Sequence, residues 1–137
     1  MRILFVVFFS FLMGCVGVKK SGSNSIEPFV KTNFSDQAII IQNSNQTYAL
    51  CYTIQKATAK QPSNRLEYII VDVTEREIVF REQKYNANVS WVDDVTIQVK
   101  ARPGVRSTDE QTNKKMALYY INVNTLKKSY KYPKHDD

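Results

Sequence analysis

Between residues 37 and 132 apolar side chains either alternate with polar ones or gather into runs of four to eight, and no window sustains a 3.6-residue period. A repeat of two places successive side chains on opposite faces of an extended chain, so this segment is constrained to strands. The strands come in pairs. "QAIIIQ" (37–42) and "TYALCYTIQ" (47–55) flank the turn-forming "NSNQ". "LEYIIVDV" (66–73) and "EIVFRE" (77–82) flank Thr74-Glu75-Arg76. "NVSWV" (88–92) and "VTIQVKA" (95–101) flank Asp93-Asp94, and "KMALYYINV" (115–123) and "KKSYKY" (127–132) flank Asn124-Thr125-Leu126. Four strand pairs with short connections predict an all-β antiparallel meander, closed as a sandwich or small barrel, with little helix.

Alternation also assigns faces. Tyr48, Leu50, Tyr52 and Ile54 share one side of their strand, with Ala49, Cys51 and Thr53 opposite. Val95, Ile97, Val99 and Ala101 are expected to point inward, with Thr96, Gln98 and Lys100 outward. The run from Tyr68 to Val73 is apolar on both faces apart from Asp72, which predicts a central strand. Lysines in 127–131 suit an edge strand guarded against pairing with other chains. "IIVDVTEREIVF" (69–80) and "YYINVNTLKKSY" (119–130) echo one another and are expected to share turn chemistry.

The head of the chain has a different composition. Ile3 to Met13 is apolar except for Ser10, and Arg2 precedes it. About a dozen helical residues at ~1.5 Å each fall well short of a ~30 Å bilayer core. This matches the n-region and h-region of an export signal. The run ends in Leu12-Met13-Gly14-Cys15, which resembles the lipobox of bacterial lipoprotein precursors, with Met13 a less usual residue at its position. The resemblance covers the first fifteen residues only. It implies cleavage between Gly14 and Cys15, acylation of Cys15 and a lipid-anchored place in the cell envelope. Val16, rather than Asp, after the cysteine implies the periplasmic face of the outer membrane in a Gram-negative source. Two or more acyl chains on one residue anchor durably where a single chain does not.

The expected organisation is therefore a signal peptide (1–14), a lipidated cysteine and flexible linker (15–36), a β domain (37–132) and a charged tail (133–137). Pro28 is expected to interrupt any helix in the Gly-, Ser- and Asn-rich linker.

Candidate chemistry is sparse. Cys51 sits mid-strand without a neighbouring cation, the setting of an inert buried thiol. The single histidine, His135, lies in the tail, a poor position for a nucleophile's base or a zinc ligand. Asp93-Asp94 lacks the ligand spacing of a calcium loop and reads as a turn. No catalytic residue, metal or cofactor is expected. The longest polar stretch, 102–114, carries Arg102, Arg106, Asp109 and Glu110 and is the candidate binding loop, with the shorter 56–65 beside it.

Nineteen basic against thirteen acidic side chains give a net charge of +6, and the basic residues are spread along the chain. That favours anionic partners in general. Lysines and tyrosines interleave in 126–135 as in single-strand nucleic-acid binders, but an exported chain is not expected to meet nucleic acid. The expected role is a non-enzymatic binding or assembly-support domain, its partner an envelope protein or anionic polymer. The alternative is an inhibitor module that blocks an envelope hydrolase or protease through a surface loop.

Overall fold

The computed structural model describes residues 25–102 and 107–133. Gly14 and Cys15, Arg106 and His135 lie outside the described residues. The chain forms α1 (Glu27–Asn33), β1 (Ile39–Gln42), β2 (Tyr48–Gln55), β3 (Arg65–Asp72), β4 (Glu77–Tyr85), β5 (Ala87–Trp91), β6 (Thr96–Ala101), α2 (Glu110–Ala117), β7 (Leu118–Asn122) and β8 (Lys128–Ser129). Strands β1 to β4 make one antiparallel four-stranded sheet in chain order, and β5 to β8 make another. The protein is all-β, a two-sheet sandwich.

The pairing follows the alternation. β2 pairs with β3 from Tyr48↔Asp72 to Gln55↔Arg65, and β5 with β6 from Ala87↔Ala101 to Trp91↔Ile97. Leu50, Leu66, Tyr68 and Ile70 of the first sheet meet Val89, Ile97, Val99 and Ile121 of the second in the main core. As expected, β3 lies inside its sheet and is buried on both faces. Thr96 departs from its expected exposure: it lies off the inter-sheet core yet is fully buried.

The two echoing segments form equivalent hairpin turns. Asp72 Oδ1 accepts from the backbone N–H of Thr74 and Glu75, and Asn122 Oδ1 accepts from those of Asn124 and Thr125. Each turn then closes through a residue of positive φ, Arg76 at 53° and Leu126 at 56°. A side-chain oxygen that satisfies two backbone donors makes such turns self-contained. Asn86, at φ 48°, carries the chain from β4 to β5 in a single residue and so passes it between sheets.

Two segments differ from the sequence expectation. Residues 27–33, expected within a flexible linker, form α1, which covers the outer face of the first sheet. Its Ile26 and Val30 pack with Ala49, Cys51, Ile69 and Val71 in a second core cluster. Pro28 does not interrupt this helix because it stands in the first turn, where its missing N–H has no intrahelical acceptor. A Glu27–Lys31 pair at 2.7 Å and the Arg81 guanidinium over the Phe34 ring hold the helix from outside.

The second difference is α2, which occupies the end of the expected polar loop and the start of an expected strand. Asp109 caps it by accepting from the backbone N–H of Gln111 and Thr112. With that cap and a Glu110–Lys114 pair, the polar run takes one short helix before β7. Among the described residues no helix is long and apolar enough to cross a membrane.

If α1 is part of the fold, Val30→Ala should lower unfolding free energy by about 2 kcal/mol, the loss of a fully buried branched side chain. Urea denaturation measures this, and an unchanged midpoint would mean that α1 does not contribute.

Candidate functional site

The chemistry of the site begins with one carboxylate. Glu82, in the middle of β4, has its side chain 15% exposed. Its Oε2 accepts hydrogen bonds from the hydroxyls of Tyr68 on β3 and Tyr119 on β7, each at 2.5 Å. Its Oε1 faces two ammonium groups, Lys128 Nζ at 2.6 Å and Lys84 Nζ at 3.3 Å. Burial by itself would raise the Glu82 pKa. The Lys128 bond and the two phenols outweigh it and hold the carboxyl down to about 2. Burial first, then the bonds to Glu82, push the Tyr68 and Tyr119 phenols upward. Glu82 is thus a fixed anion at any physiological pH, and both phenols remain donors.

The lysines serve a second purpose. Lys128 Nζ lies 5.0 Å and Lys84 Nζ 5.6 Å from the centroid of the Tyr119 ring, within cation–π range. Above that ring opens a cavity of about 450 Å³. Four cations line it: Lys84 from β4, Arg102 just past β6, Lys115 from α2 and Lys128 from β8. Tyr85 and Tyr130 form aromatic walls, each about half exposed. Lys115 Nζ stands 5.8 Å from the Tyr130 ring centroid. Among the described residues no carboxylate lines the cavity.

A second cavity of about 440 Å³ adjoins the first, and Asn86 and Arg102 line both. Its other walls include Asn64, Asn88 and Ile54. Asn86 is held in place by donating to Ser63 Oγ and by accepting from the Asn64 N–H through its own Oδ1.

The sequence-based candidates divide. Arg102 stands at the junction of the two cavities. Asp109 and Glu110 belong to the first turn of α2, where Asp109 caps and Glu110 pairs with Lys114. The Thr112 hydroxyl, followed by the Gln111 N–H, lowers the Asp109 pKa. Both acids therefore have structural partners and line neither cavity. Asp93 and Asp94 act in a turn: Asp93 accepts from the Val95 N–H and the Tyr132 hydroxyl, and Asp94 from the Ser44 hydroxyl. Cys51 is buried, and burial pushes its thiol up to about 12. Among the described residues no group of His, Cys, Asp and Glu could hold a metal ion.

Lys84, Lys115, Lys128, Tyr85 and Tyr130 were not singled out as a site by sequence reasoning. Each is an ordinary solvated residue in its own segment. Only the interleaving in 126–135 hinted at two of them. No protein-family model, curated protein or solved structure matches the chain.

The depressed Glu82 pKa has a pH signature. A carboxyl lowered from 4.5 toward about 2 on folding adds stability that is complete above pH 4.5 and is lost as pH falls through the folded value. Glu82→Gln should remove most of that acid dependence and cost on the order of 2–3 kcal/mol at pH 7. Chemical denaturation of both proteins between pH 7 and pH 2 reads the difference, and parallel curves would show that Glu82 does not carry it.

Proposed function

We propose that the protein is a lipid-anchored cell-envelope domain that acts by binding an anionic partner, not by catalysis. The observation that carries the binding part is the convergence of Lys84, Arg102, Lys115 and Lys128 on one aromatic-walled cavity that, among the described residues, has no lining carboxylate. Glu82 offsets only one of these four charges, so the cavity keeps a net positive potential that a bound anion would neutralise. The one carboxylate beneath them, Glu82, is fully engaged by two phenols and two ammonium groups. Held at a pKa of about 2, it carries no proton to donate near neutrality, which favours scaffolding over general-acid chemistry.

The anchoring part rests on Leu12-Met13-Gly14-Cys15 at the end of a short apolar run. On this reading the mature chain starts at Cys15, and only the stretch between it and Ile26 acts as a tether, because Ile26 and α1 belong to the folded body. The outer membrane is the favoured location in a Gram-negative source. The inhibitor alternative draws support from residues 56–64, where Thr58 and Gln61 exchange backbone hydrogen bonds and Asn64 Oδ1 braces the Ala57 N–H. Such a braced, exposed loop is a form that can enter another protein's cleft.

Two measurements test the proposal. Palmitate should label the intact chain in cells and be lost in Cys15→Ala; an unlabelled wild type would overturn the anchor. The full chain in neutral detergent should be retained by immobilised polyphosphate at low salt. The double variant Arg102→Ala, Lys115→Ala should elute at clearly lower salt, and identical elution would overturn the binding site.

A further inference from the structure

The cations are one half of a longer feature. The basic cavity and the neighbouring cavity share Asn86 and Arg102, so together they form a trough with two chemically different ends. One end presents ammonium groups beside tyrosine rings. The other presents amides: Asn64, Asn86 and Asn88, of which Asn64 and Asn88 are exposed. Tyr85 and Tyr130, at 52% and 53% exposure, leave large ring surfaces uncovered at the basic end.

A small inorganic anion would use the lysines and leave the rings and amides idle. A fatty acyl chain would use the rings but would desolvate Arg102 and the amide groups of Asn64, Asn86 and Asn88, which weighs against it. A chain of sugars uses all three. Its hydroxyls both donate and accept, which amide side chains match with a donor and an acceptor on one group. Its ring faces present apolar C–H surface that can lie on an aromatic face. A carboxylate or phosphate on one sugar then meets the cations. The volumes, about 450 and about 440 Å³, each fall in the range of ordinary ligand cavities.

We infer that the trough binds an anionic oligosaccharide, with its acidic group between Lys84, Lys115 and Lys128, a sugar face on Tyr130, and a neighbouring unit along Asn86, Asn88 and Arg102. This inference rests on the binding function proposed above and names its ligand class. The acidic group is a carboxylate or a phosphate, and the trough's chemistry serves either.

Trigalacturonate is the carboxylate probe, glucose 6-phosphate the phosphate probe, maltotriose the neutral control and inorganic phosphate the ringless one. Titration calorimetry on the full chain in neutral detergent should give saturable binding of one or both anionic sugars. Maltotriose should not bind, and inorganic phosphate should bind at least tenfold more weakly than the better anionic sugar. Tyr130→Ala should weaken that sugar's binding by about tenfold, as loss of one stacking partner does, and Tyr130→Phe should restore it. Asn88→Ala should weaken trigalacturonate, if that is the sugar bound, by about threefold to tenfold, the loss of one hydrogen bond. Tyr130 and Asn88 are both exposed, so neither replacement removes core packing.

Equal affinity for inorganic phosphate and both sugars, or indifference to Tyr130→Ala, would overturn the saccharide inference while polyphosphate retention still upheld the anion site. Saturable binding to phosphatidylglycerol vesicles with no response to either sugar would overturn it in favour of a lipid headgroup. Loss of polyphosphate retention would remove the binding function itself.

Discussion

A single partly buried carboxylate fixes the relation between the two sheets along one side of the sandwich. Glu82 belongs to the first sheet, and so does Tyr68. Tyr119 and Lys128 belong to the second. A carboxylate has room for about four donors, and here two phenols and two ammonium groups supply them. Leaving a charge of this kind half-paired in the interior would cost several kcal/mol, so the network admits few alternative arrangements of β4 against β7 and β8. The same contacts place Lys84 and Lys128 beside the Tyr119 ring, where they become lining for the basic cavity. The device that joins the sheets also supplies half the charge of the site.

The other side of the sandwich is joined mainly by neutral donors and backbone carbonyls, with the Ser44 hydroxyl donating to the Asp94 carboxylate beside them. Trp91 Nε1 donates to the Ile41 carbonyl at 2.9 Å, and the buried Asn43 donates to the Asp94 carbonyl at 2.8 Å. The first bond ties β5 to β1 and the second ties the β5–β6 turn to the β1–β2 turn, both across the sheets. α1 then covers the apolar outer face around β2 and β3, so that β3 is buried on both sides, as its two-sided apolar character requires. Without a cover, Cys51, Ile69 and Val71 would face water. The helix is thus a condition of the sheet's composition and not an appendage to it.

The four hairpins, the central position of β3, the division of β2 into two faces and the inward face of β6 were legible in the sequence because alternation and Asx-type turns are local properties. Asp72 and Asn122 satisfy backbone donors within three residues, and such chemistry survives without knowledge of the fold. α1 was not legible, because seven residues around a proline carry too little periodicity to announce a helix. What stabilises it is the apolar face of the sheet it covers, and that face lies on strands that come later in the chain. α2 was hidden for a related reason. Its residues are polar apart from Met116 and Ala117, none is buried, and only the Asp109 cap distinguishes its start from a loop.

The site shows the same division more sharply. Of the candidate residues in the polar stretch, Arg102 lines both cavities, while Asp109 and Glu110 spend their charge on the first turn of a helix. Lys84, Lys115 and Lys128 look interchangeable with every other surface lysine when read along the chain. By itself the sequence determined the strand pairs, their faces and their turns, and it carries the Gly14-Cys15 motif in its apolar head, because each depends on neighbours a few residues away. The tertiary structure alone decided which of nineteen basic side chains share a cavity and which carboxylate sits beneath them. Those residues are separated by up to forty-six positions and meet only once two sheets close on each other. Electrostatic interaction falls off with distance in space, which the order of residues along the chain does not record.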